Sequence, residues 1–281
     1  MPKLLTGAEV VKDIIERAKE EADALKTYGI TPQLAIVRVG ERPDDLAYER
    51  GATKRCVEVG VSVRQLELDA DAGTEELLEV IDGLNDDPTI HGVLLLRPLP
   101  KGIDEAAVCD RLKPQKDVDG ITMLSLAGTF TGVRIGFPSC TAAAVLEMLD
   151  YYDIDVSGKN VAVVGRSMVA GRPAAMLLMA RDATVTICHR QTRDLKAAVK
   201  AADIVVVAAG TAGIADDSFF SPGQAIIDVG INLGEDGKLH GDVSYTEALP
   251  AAAITPVPGG VGAVTAAVLV KHVVKAAKNA V

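Results

Sequence analysis

One stretch, residues 161–173 with the sequence VAVVGRSMVAGRP, constrains the fold of this chain more than any other. Its four leading apolar residues have the composition of a buried parallel strand, and they run directly into Gly165. Ser167, Gly171 and Pro173 follow, and then a helical run. A strand, a glycine turn and a helix N-terminus in this order form a phosphate site, because free backbone N–H groups and the helix dipole face the anion. The spacing G-x-S-x-x-x-G-x-P differs from the usual dinucleotide fingerprint, so an ordinary strand-to-helix turn is the alternative.

Strands and helices alternate along the rest of the chain. The predicted strands cover residues 34–39, 61–68, 92–97, 161–164, 184–188, 203–209 and 225–230. Repeated strand–helix–strand units predict an α/β fold with parallel sheets, and 281 residues are enough for two domains. We predict an N-terminal α/β parallel-sheet domain over residues 1–144, to which a last helix within 263–281 returns. A Rossmann dinucleotide-binding domain is predicted over residues 145–262.

The composition argues against several classes of protein. A net charge of −10 argues against a nucleic-acid partner, and no apolar run approaches the ~20 residues of a membrane span. No basic-then-apolar leader precedes the first predicted helix, so we expect a cytoplasmic protein rather than a secreted one. The cysteines are scattered without a C-x-x-C pair, as is typical of reduced thiols, and the four histidines are equally dispersed, which indicates no metal site. The cysteines are Cys56, Cys109, Cys140 and Cys188.

Arginines near the ends of two predicted strands indicate which nicotinamide cofactor the chain takes. In a typical NAD site, an acidic residue at the end of the second strand accepts from the ribose 2′-hydroxyl. Here that strand ends in CHRQTR, without an acid, and Arg166, Arg190 and Arg193 supply positive charge instead. The pattern favours NADP, whose 2′-phosphate suits guanidinium groups. The alternative for each arginine is that it is a solvated surface residue.

Six segments, in order and over nearly the whole length, resemble the bifunctional methylenetetrahydrofolate dehydrogenase/cyclohydrolases. They are HGVLLLRPLPKGID (91–104), KDVDG (116–120), VVGRSMVAGRP (163–173), TVTICHRQT (184–192), AIIDVGIN (225–232) and TPVPGGVGAVT (255–265). The resemblance implies an active-site cleft for a folate between the two domains, a homodimer, and a role in cytosolic one-carbon metabolism.

The resemblance also implies roles for individual residues. Tyr48 and Asp119 are implied catalytic and substrate-binding residues, the tyrosine packing on the folate rings and the aspartate accepting from the pterin amide edge. Asp117 is interpreted as a loop or cap residue. The loop that closes over the substrate comprises Pro258, Gly259 and Gly260. The implied cofactor-binding residues are Gly165, Arg166, Ser167, Gly171, Pro173, Arg190, Arg193, Ile231, Gly262 and Thr265.

The chain departs from the family pattern at two positions that carry chemistry. Ala52 stands where the family has a lysine, one helical turn after the tyrosine, and Leu96 stands where it has a glutamine. Hydrolysis of a methenyl cation requires an activated water, and a lysine with a lowered pKa suits that task. Hydride transfer depends mainly on positioning and needs no such base. Further departures are Asp45 at a usual serine, and Ala142, Ala144 and Ala263 at usual proline or glycine positions.

The resemblance, taken with these departures, implies an NADP-dependent methylenetetrahydrofolate dehydrogenase whose cyclohydrolase activity is weak or lost. A competing hypothesis is a fully bifunctional enzyme with a rescuing residue such as Lys54, although two residues along a helix turn that side chain about 200° from residue 52. The sequence is also compatible with a Rossmann oxidoreductase for a different substrate, and with a non-catalytic protein that binds folate or nucleotide.

Overall fold

Two units of the chain each enclose a parallel β-sheet in the computed structural model, which describes residues 1–280. The small-sheet unit comprises Lys12–Cys140 and the segment from Ala266 onward. The large-sheet unit comprises Met1–Val11 and Thr141–Thr265. The α/β class and the parallel sheets are those predicted from the sequence.

The described residues form nine α-helices and eleven strands. The helices are α1 (Gly7–Lys26), α2 (Pro43–Val59), α3 (Thr74–Asp86), α4 (Glu105–Arg111), α5 (Met123–Thr131), α6 (Cys140–Tyr151), α7 (Gly171–Met179), α8 (Leu195–Lys200) and α9 (Val261–Asn279). The strands are β1 (Lys3–Leu4), β2 (Gln33–Val39), β3 (Ser62–Leu68), β4 (Gly92–Leu95), β5 (Asn160–Val164), β6 (Thr184–Cys188), β7 (Ile204–Val207), β8 (Ala225–Asp228), β9 (Asn232–Leu233), β10 (Leu239–His240) and β11 (Ala253–Ile254).

The small sheet has the order β3-β2-β4, and all three strands are parallel. The central strand β2 is buried along nearly its whole length, as expected of a continuous apolar run covered on both faces. The edge strand β3 is buried only in part, at Val63, Leu66 and Leu68, and its other residues are exposed. Leu77 and Ile81 of α3 pack into the core beside this sheet.

The large sheet has the order β1-β11-β8-β7-β5-β6, and its six strands are also parallel. The chain runs from β5 to β6 on one side and then crosses to β7 on the other side of β5. The strand order therefore reverses at β5. In open α/β sheets, ligands bind outside the carboxyl ends of the strands at such a reversal. The predicted phosphate turn, which follows β5, lies at this point.

The structure differs from the predicted elements in several places. The strands β1 and β11 are only two residues long, too short for any periodicity to reveal, yet they pair with each other at one side of the large sheet. The helix α5 was not predicted, and it leaves Met123 and Phe130 largely exposed, so that no amphipathic pattern marks it. The helix α8 was also missed. The last helix begins at Val261 rather than at Thr265, because the glycine-rich segment before it already enters the helix.

Neither a membrane-spanning helix nor a metal-binding cluster occurs among residues 1–280. No helix there is both long and apolar enough to cross a bilayer. No group of three or more histidine, cysteine, aspartate or glutamate side chains in that range is arranged to hold a metal ion.

Candidate active site

The helix α2 carries two of the predicted site positions, Tyr48 and Ala52. It begins at Pro43, which suits a first turn because that N–H would have no helical partner, and Gly60 terminates it in the left-handed conformation (φ 85°). Ala52 is fully buried and Tyr48 is half-buried. Burial raises the pKa of the Tyr48 hydroxyl well above its usual value, and the nearby Asp119 adds to the rise. Tyr48 therefore offers a neutral hydroxyl and an aromatic face.

Ala52 and Leu96, the two departures from the family pattern, are both buried. Leu96 follows β4, where its backbone N–H donates to the carbonyl oxygen of Val37 at 3.0 Å, and it is 5% exposed. Neither side chain can donate, accept or release a proton. Both residues are apolar. Neither position therefore holds a buried polar group that would need a hydrogen-bonding partner at the other.

None of the basic residues nearest to Ala52 along α2 is buried as Ala52 is. Lys54 and Arg50 are exposed. Arg55 forms an ion pair with Glu58, with 2.8 Å between nitrogen and oxygen. Lys54, the residue named above as a possible substitute for the family's lysine, is thus accessible to solvent.

Asp119 lies on a segment that extends the small sheet beyond β4. The backbone N–H of Val93 donates to the carbonyl oxygen of Lys116 at 2.8 Å. The turn after this segment requires a glycine, since Gly120 has φ 68° and a Cβ there would lie 2.5 Å from the backbone nitrogen of Ser139. The position of Asp119 is thus fixed by backbone contacts on both sides.

Asp117, two residues earlier, has a structural role. Its side chain is fully buried and accepts hydrogen bonds from the backbone N–H groups of Ile121 (2.9 Å) and Thr122 (2.8 Å). These bonds close the loop that leads into α5. The interpretation of Asp117 as a loop residue is confirmed.

The carboxyl group of Asp119 titrates close to neutrality. Burial raises its pKa to about 6, against the opposing effect of a hydrogen bond from the Cys140 thiol. Repulsion from Asp117 adds to the rise, while Arg97 and the backbone N–H of Cys140 lower the pKa. Above that pH the carboxylate is an acceptor-only group beside Tyr48, suited to a ligand edge that carries two N–H donors.

The predicted phosphate turn is closed by very tight backbone packing. Gly165 has φ 131°, and a Cβ there would lie 2.0 Å from the carbonyl oxygen of Ala208. A Cβ on Gly171 would lie 2.3 Å from the carbonyl oxygen of Gly165. The Ser167 hydroxyl oxygen accepts from the backbone N–H of Ala170 at 3.1 Å, so this serine also caps the start of α7. Gly165, Arg166, Ser167, Gly171 and Pro173 all lie between the end of β5 and the first turn of α7.

Arginines without an ion-pair partner stand beside this turn. Val164 and Cys188, the last residues of β5 and β6, are paired in register, and Arg166 and Arg190 each follow two residues later. Both arginines and Arg193 are exposed, and none of the three forms an ion pair with any of residues 1–280. Free guanidinium groups at neighbouring strand ends fit a phosphate monoester such as the 2′-phosphate of NADP.

A buried carboxylate that sequence reasoning missed holds the loop after β7. One oxygen of Asp242 accepts from the backbone N–H groups of Ala209 (2.6 Å) and Gly210 (2.9 Å). The other accepts from the N–H of Thr211 (2.9 Å) and from the side-chain amide of Asn232 (2.9 Å). The loop lies at the carboxyl end of β7, beside the reversal in strand order.

Asp228, at the end of β8, plays a similar part for the neighbouring loops. Its carboxylate accepts from the backbone N–H groups of Gly230 (2.9 Å), Asp242 (3.0 Å) and Val243 (2.9 Å). Burial raises its pKa to about 6, although these hydrogen bonds act against the rise. The only sequence signal for either residue is an aspartate at the end of an apolar strand or its loop, which is a frequent feature of α/β proteins.

Ile231, a predicted cofactor residue, projects from the loop that these aspartates hold. Ile231 is 58% exposed. Its Cδ1 atom packs closely against Gly262, since a Cβ atom on that glycine would lie only 2.6 Å away. Thr265, one turn further along α9, donates its hydroxyl hydrogen to the carbonyl oxygen of Gly262 at 3.0 Å. The three predicted residues Ile231, Gly262 and Thr265 are thus neighbours.

The predicted closing loop is anchored at Gly260, while Pro258 and Gly259 are more accessible to solvent. A Cβ on Gly260 would lie 2.5 Å from the carbonyl oxygen of Pro256. The carbonyl oxygen of Gly259 accepts from the backbone N–H of Gly7 at 2.7 Å, at the start of α1. The backbone of this loop is therefore accessible at Pro258 and Gly259 and held in place by the contacts of Gly259 and Gly260.

The predicted site residues divide between the two units. Tyr48, Ala52, Leu96 and Asp119 belong to the small-sheet unit, whereas all the predicted cofactor residues and the closing loop belong to the large-sheet unit. Within the small-sheet unit, Tyr48 and Asp119 are close enough to interact electrostatically.

Two family models match the chain. The model described as tetrahydrofolate dehydrogenase/cyclohydrolase, catalytic domain, matches residues 5–119. The model described as tetrahydrofolate dehydrogenase/cyclohydrolase, NAD(P)-binding domain, matches residues 139–281. Together they cover most of the chain.

Relatives and solved structures agree with these matches. The Bifunctional protein FolD of Clostridioides difficile (strain 630) is 46% identical over 277 residues, which are 98% of this chain and 96% of the relative. The structure of the bifunctional enzyme FolD from Campylobacter jejuni superimposes with a TM-score of 0.96 at 37% identity, over 100% of both chains. The Trypanosoma brucei FolD structure, complexed with NADP cofactor and inhibitor, gives a TM-score of 0.92 at 35% identity over 99% of each chain. The chain therefore belongs to the tetrahydrofolate dehydrogenase/cyclohydrolase family.

Proposed function

We propose that the protein oxidises 5,10-methylenetetrahydrofolate to 5,10-methenyltetrahydrofolate with NADP, and that it hydrolyses the methenyl product weakly or not at all. Family membership supports the oxidation, as does the NADP complex of the Trypanosoma brucei relative. The observation that carries the loss of hydrolysis is the pair of buried apolar side chains, Ala52 and Leu96.

The cofactor half supplies binding and orientation. The turn between Gly165 and Gly171 and the N-terminus of α7 would hold the pyrophosphate, and Arg166 and Arg190 would hold the 2′-phosphate. When bound, NADP accepts the hydride from the methylene carbon. No protein base is required in this step, because the substrate loses a hydride and leaves as a methenyl cation.

The substrate half supplies recognition. The aromatic face of Tyr48 would pack on the folate rings, and the carboxylate of Asp119 would accept hydrogen bonds from the pterin amide edge. The accessible backbone of Pro258 and Gly259 would close over the bound molecules. None of these roles depends on residues 52 and 96.

Hydrolysis has different requirements, which this chain does not meet. Water must be activated to attack the methenyl cation, and protons must be moved during the breakdown of the adduct. Removal of a general acid or base costs a factor of about 10²–10⁴ in rate. Ala52 and Leu96 provide no such group, and Lys54 is exposed.

A spectrophotometric assay separates the two activities. The protein is given methylenetetrahydrofolate with NADP or NAD, and NADPH (or NADH) and methenyl product are followed together. We expect methenyl product to accumulate and then to decay at the rate seen in buffer alone. Hydrolysis much faster than in buffer would refute the proposed loss, and a lack of nicotinamide reduction would refute the dehydrogenase. The double variant Ala52→Lys with Leu96→Gln is the matched gain-of-function control.

We also propose that the protein acts as a homodimer in the cytoplasm, as the resemblance implied. The strand β6 has no partner on its outer side among the described strands of the large sheet, and Ile187 on this strand is 38% exposed. Met179 at the end of α7 is 51% exposed. Exposed strand edges are available for pairing with a second chain. Light scattering on the eluting protein tests the dimer, and a monomeric mass at micromolar concentration would contradict it.

A further inference from the structure

The buried face of α2 carries a carboxylate that accepts no hydrogen bond from any of residues 1–280. Asp45 lies in the first turn of the helix and is only 6% exposed. Its ion-pair partner is Arg42, with 3.6 Å between the arginine Nε atom and an Asp45 oxygen, which is beyond hydrogen-bond distance. A buried carboxylate without donors is costly unless another group compensates its charge. The protein alone therefore leaves the charge of Asp45 only partly compensated.

Arg42 is held by a different acceptor. Its Nη1 atom donates to the carbonyl oxygen of Pro98 at 2.6 Å, in the turn that follows Leu96, and its side chain is 40% exposed. Burial raises the pKa of Asp45, Arg42 opposes this rise, and the neighbouring Asp44 adds to it. Because water screens an exposed cation, Arg42 offsets only part of the negative charge.

The buried cation Arg38, on β2, does not compensate Asp45 either. Its Nε atom donates to a carboxylate oxygen of Glu49 at 3.0 Å, and an Nη2 atom lies 3.1 Å from a carboxylate oxygen of Glu67. Its Nη1 atom donates to a backbone carbonyl oxygen. One guanidinium group thus already faces two carboxylates. It leaves no positive charge to balance Asp45.

Asp45 shares its helix face with the two site positions of α2. Residues three apart on a helix have Cβ atoms about 5–6 Å apart, so Asp45 and Tyr48 are neighbours. Ala52 lies seven residues after Asp45, which is two turns along the helix and within about 20° of the same direction. Asp45 and Ala52 are both buried. A ring packed on Tyr48 would therefore lie close to the Asp45 carboxylate, on a face where residue 52 adds no positive charge.

We propose that Asp45 is a specificity-determining residue, which favours a positively charged folate ring over an uncharged one. In the proposed oxidation, a C–H bond of the methylene carbon breaks and its electron pair leaves with the hydride for the nicotinamide. The positive charge is then shared by the two nitrogens bonded to that carbon. A fixed carboxylate stabilises this charge as it develops and in the product. The inference rests on the proposed function and adds to it the charge of the preferred ligand.

Binding of two folates that differ in ring charge tests the proposal. They are 5,10-methenyltetrahydrofolate, which is a cation, and 5-formyltetrahydrofolate, whose ring is uncharged. Rapid ultrafiltration gives the Kd of each before the methenyl compound decays in buffer. In Asp45→Asn we expect the Kd of the methenyl compound to rise about tenfold, and that of the formyl compound to stay within about twofold. Equal changes in the two Kd values would overturn the proposal, because a purely structural role of Asp45 affects both ligands alike.

Three further variants sharpen the result. Asp45→Ser introduces a smaller uncharged side chain and should show the same selective loss, so that the conclusion does not depend on how an amide packs. Asp44→Asn removes the same charge from an exposed position in the same turn and should leave the ratio of the two Kd values within about twofold. Arg42→Gln removes the cation beside Asp45 and should strengthen the preference for the methenyl compound. A loss in Asp44→Asn equal to that in Asp45→Asn, or a weaker preference in Arg42→Gln, would overturn the assignment.

Kinetics separate this inference from the proposed function. In Asp45→Asn the KM for the uncharged methylenetetrahydrofolate should stay within about threefold of wild type, while the KM for the methenyl compound in the reverse reaction with NADPH rises about tenfold. If the wild-type protein reduces no NADP, the proposed function fails, and the ratio of the two Kd values still decides the role of Asp45. A working dehydrogenase with an unchanged ratio in Asp45→Asn would refute the inference alone. Binding of neither folate to the wild-type protein would refute both.

Discussion

Asp119 combines burial with its proposed task of binding the folate, and the proposed contact is therefore sensitive to pH. Its pKa is raised to about 6, chiefly by burial, so the ionised acceptor form is depleted as the pH falls through that value. A substrate that donates hydrogen bonds to the carboxylate binds the ionised form. Under the proposed function, folate affinity thus depends on the protonation of a single carboxyl group.

We expect the KM for the folate to rise about tenfold per pH unit below pH 6, while the KM for NADP changes little. Asp119→Asn should lower kcat/KM for the folate by about 10–100-fold at pH 7.5, since the amide presents a donor where an acceptor is needed. Steady-state kinetics with each substrate varied in turn provide the measurement. Equal effects on the two KM values would contradict this assignment.

Arg190 is expected to discriminate between the two nicotinamide cofactors. Arg190→Ala removes a guanidinium that would contact only the 2′-phosphate, so the Kd for NADP should rise by about 10–100-fold, and the Kd for NAD should stay within about twofold. Lys200→Ala removes an exposed cation at the end of α8 and serves as the control for net charge. Calorimetric titration measures both constants, and parallel losses for NADP and NAD would disprove the assignment.

At the scale of elements, the loops after β7 and β8 are held by two buried carboxylates. Asp242 satisfies three successive backbone N–H groups, and Asp228 satisfies the N–H of Asp242 itself. Buried N–H groups left without acceptors cost about 1–3 kcal/mol each. The two aspartates therefore hold the loop that presents Ile231 in one conformation before any ligand arrives.

Asp242→Asn is expected to lower the free energy of unfolding by about 2–4 kcal/mol, because the amide turns a donor toward N–H groups that need acceptors. The Kd for NADP should rise with it, as the loop bearing Ile231 loses its support. Asp236→Asn, at an exposed site in the hairpin between β9 and β10, is the matched control. Urea unfolding and NADP titration give the two numbers, and a stability within about 0.5 kcal/mol of wild type would argue against the loop's dependence on Asp242.

Elements with a local sequence pattern could be predicted from the sequence, whereas elements that depend on partners distant in the chain could not. The sequence predicts β5 as a short apolar run and β6 as an alternation of threonine with apolar residues, and the structure has strands at both places. The pairing of β1 with β11 joins Lys3 to Ala253, at opposite ends of the chain, which no local pattern encodes. The contacts of Asp242 with the loop after β7 and of Arg42 with Pro98 are of the same kind. Sequence therefore indicated the residues proposed to touch ligand better than it indicated those that hold them.

At the scale of the whole molecule, the oxidising and hydrolysing activities of the family are separable by two substitutions under the proposed function. The predicted cofactor residues lie in the large-sheet unit, and the departures at residues 52 and 96 lie in the small-sheet unit. The loss at those positions leaves the residues proposed for hydride transfer untouched. A cell that relies on this protein for oxidation needs a second catalyst wherever methenyl product must be hydrolysed quickly.

Each unit contains one terminal segment of the chain that is separated in sequence from the rest of that unit. Fragments of the protein should show the effect of this arrangement on folding. Residues 1–11 belong with the large sheet, and the segment from Ala266 onward belongs with the small one. We expect an isolated fragment of residues 1–140 to be unfolded, because it lacks the buried side chains of α9. Circular dichroism and thermal melting without NADP measure this. Co-expression with residues 141–281 should restore folding. A cooperative melt of the isolated fragment would show that α9 is dispensable.

The pairing of β1 with β11 has a consequence for how this protein can change over generations. When the two domains of an enzyme are consecutive segments of the sequence, one genetic crossover between them can replace a whole domain. Here a single crossover near residue 140 would carry Lys3 and Leu4 away from the strand with which they pair and would leave the last helix behind with the wrong partner. The two halves are therefore inherited together. We therefore expect the activity of such a chain to change by point substitutions, such as those at residues 52 and 96, rather than by exchange of modules.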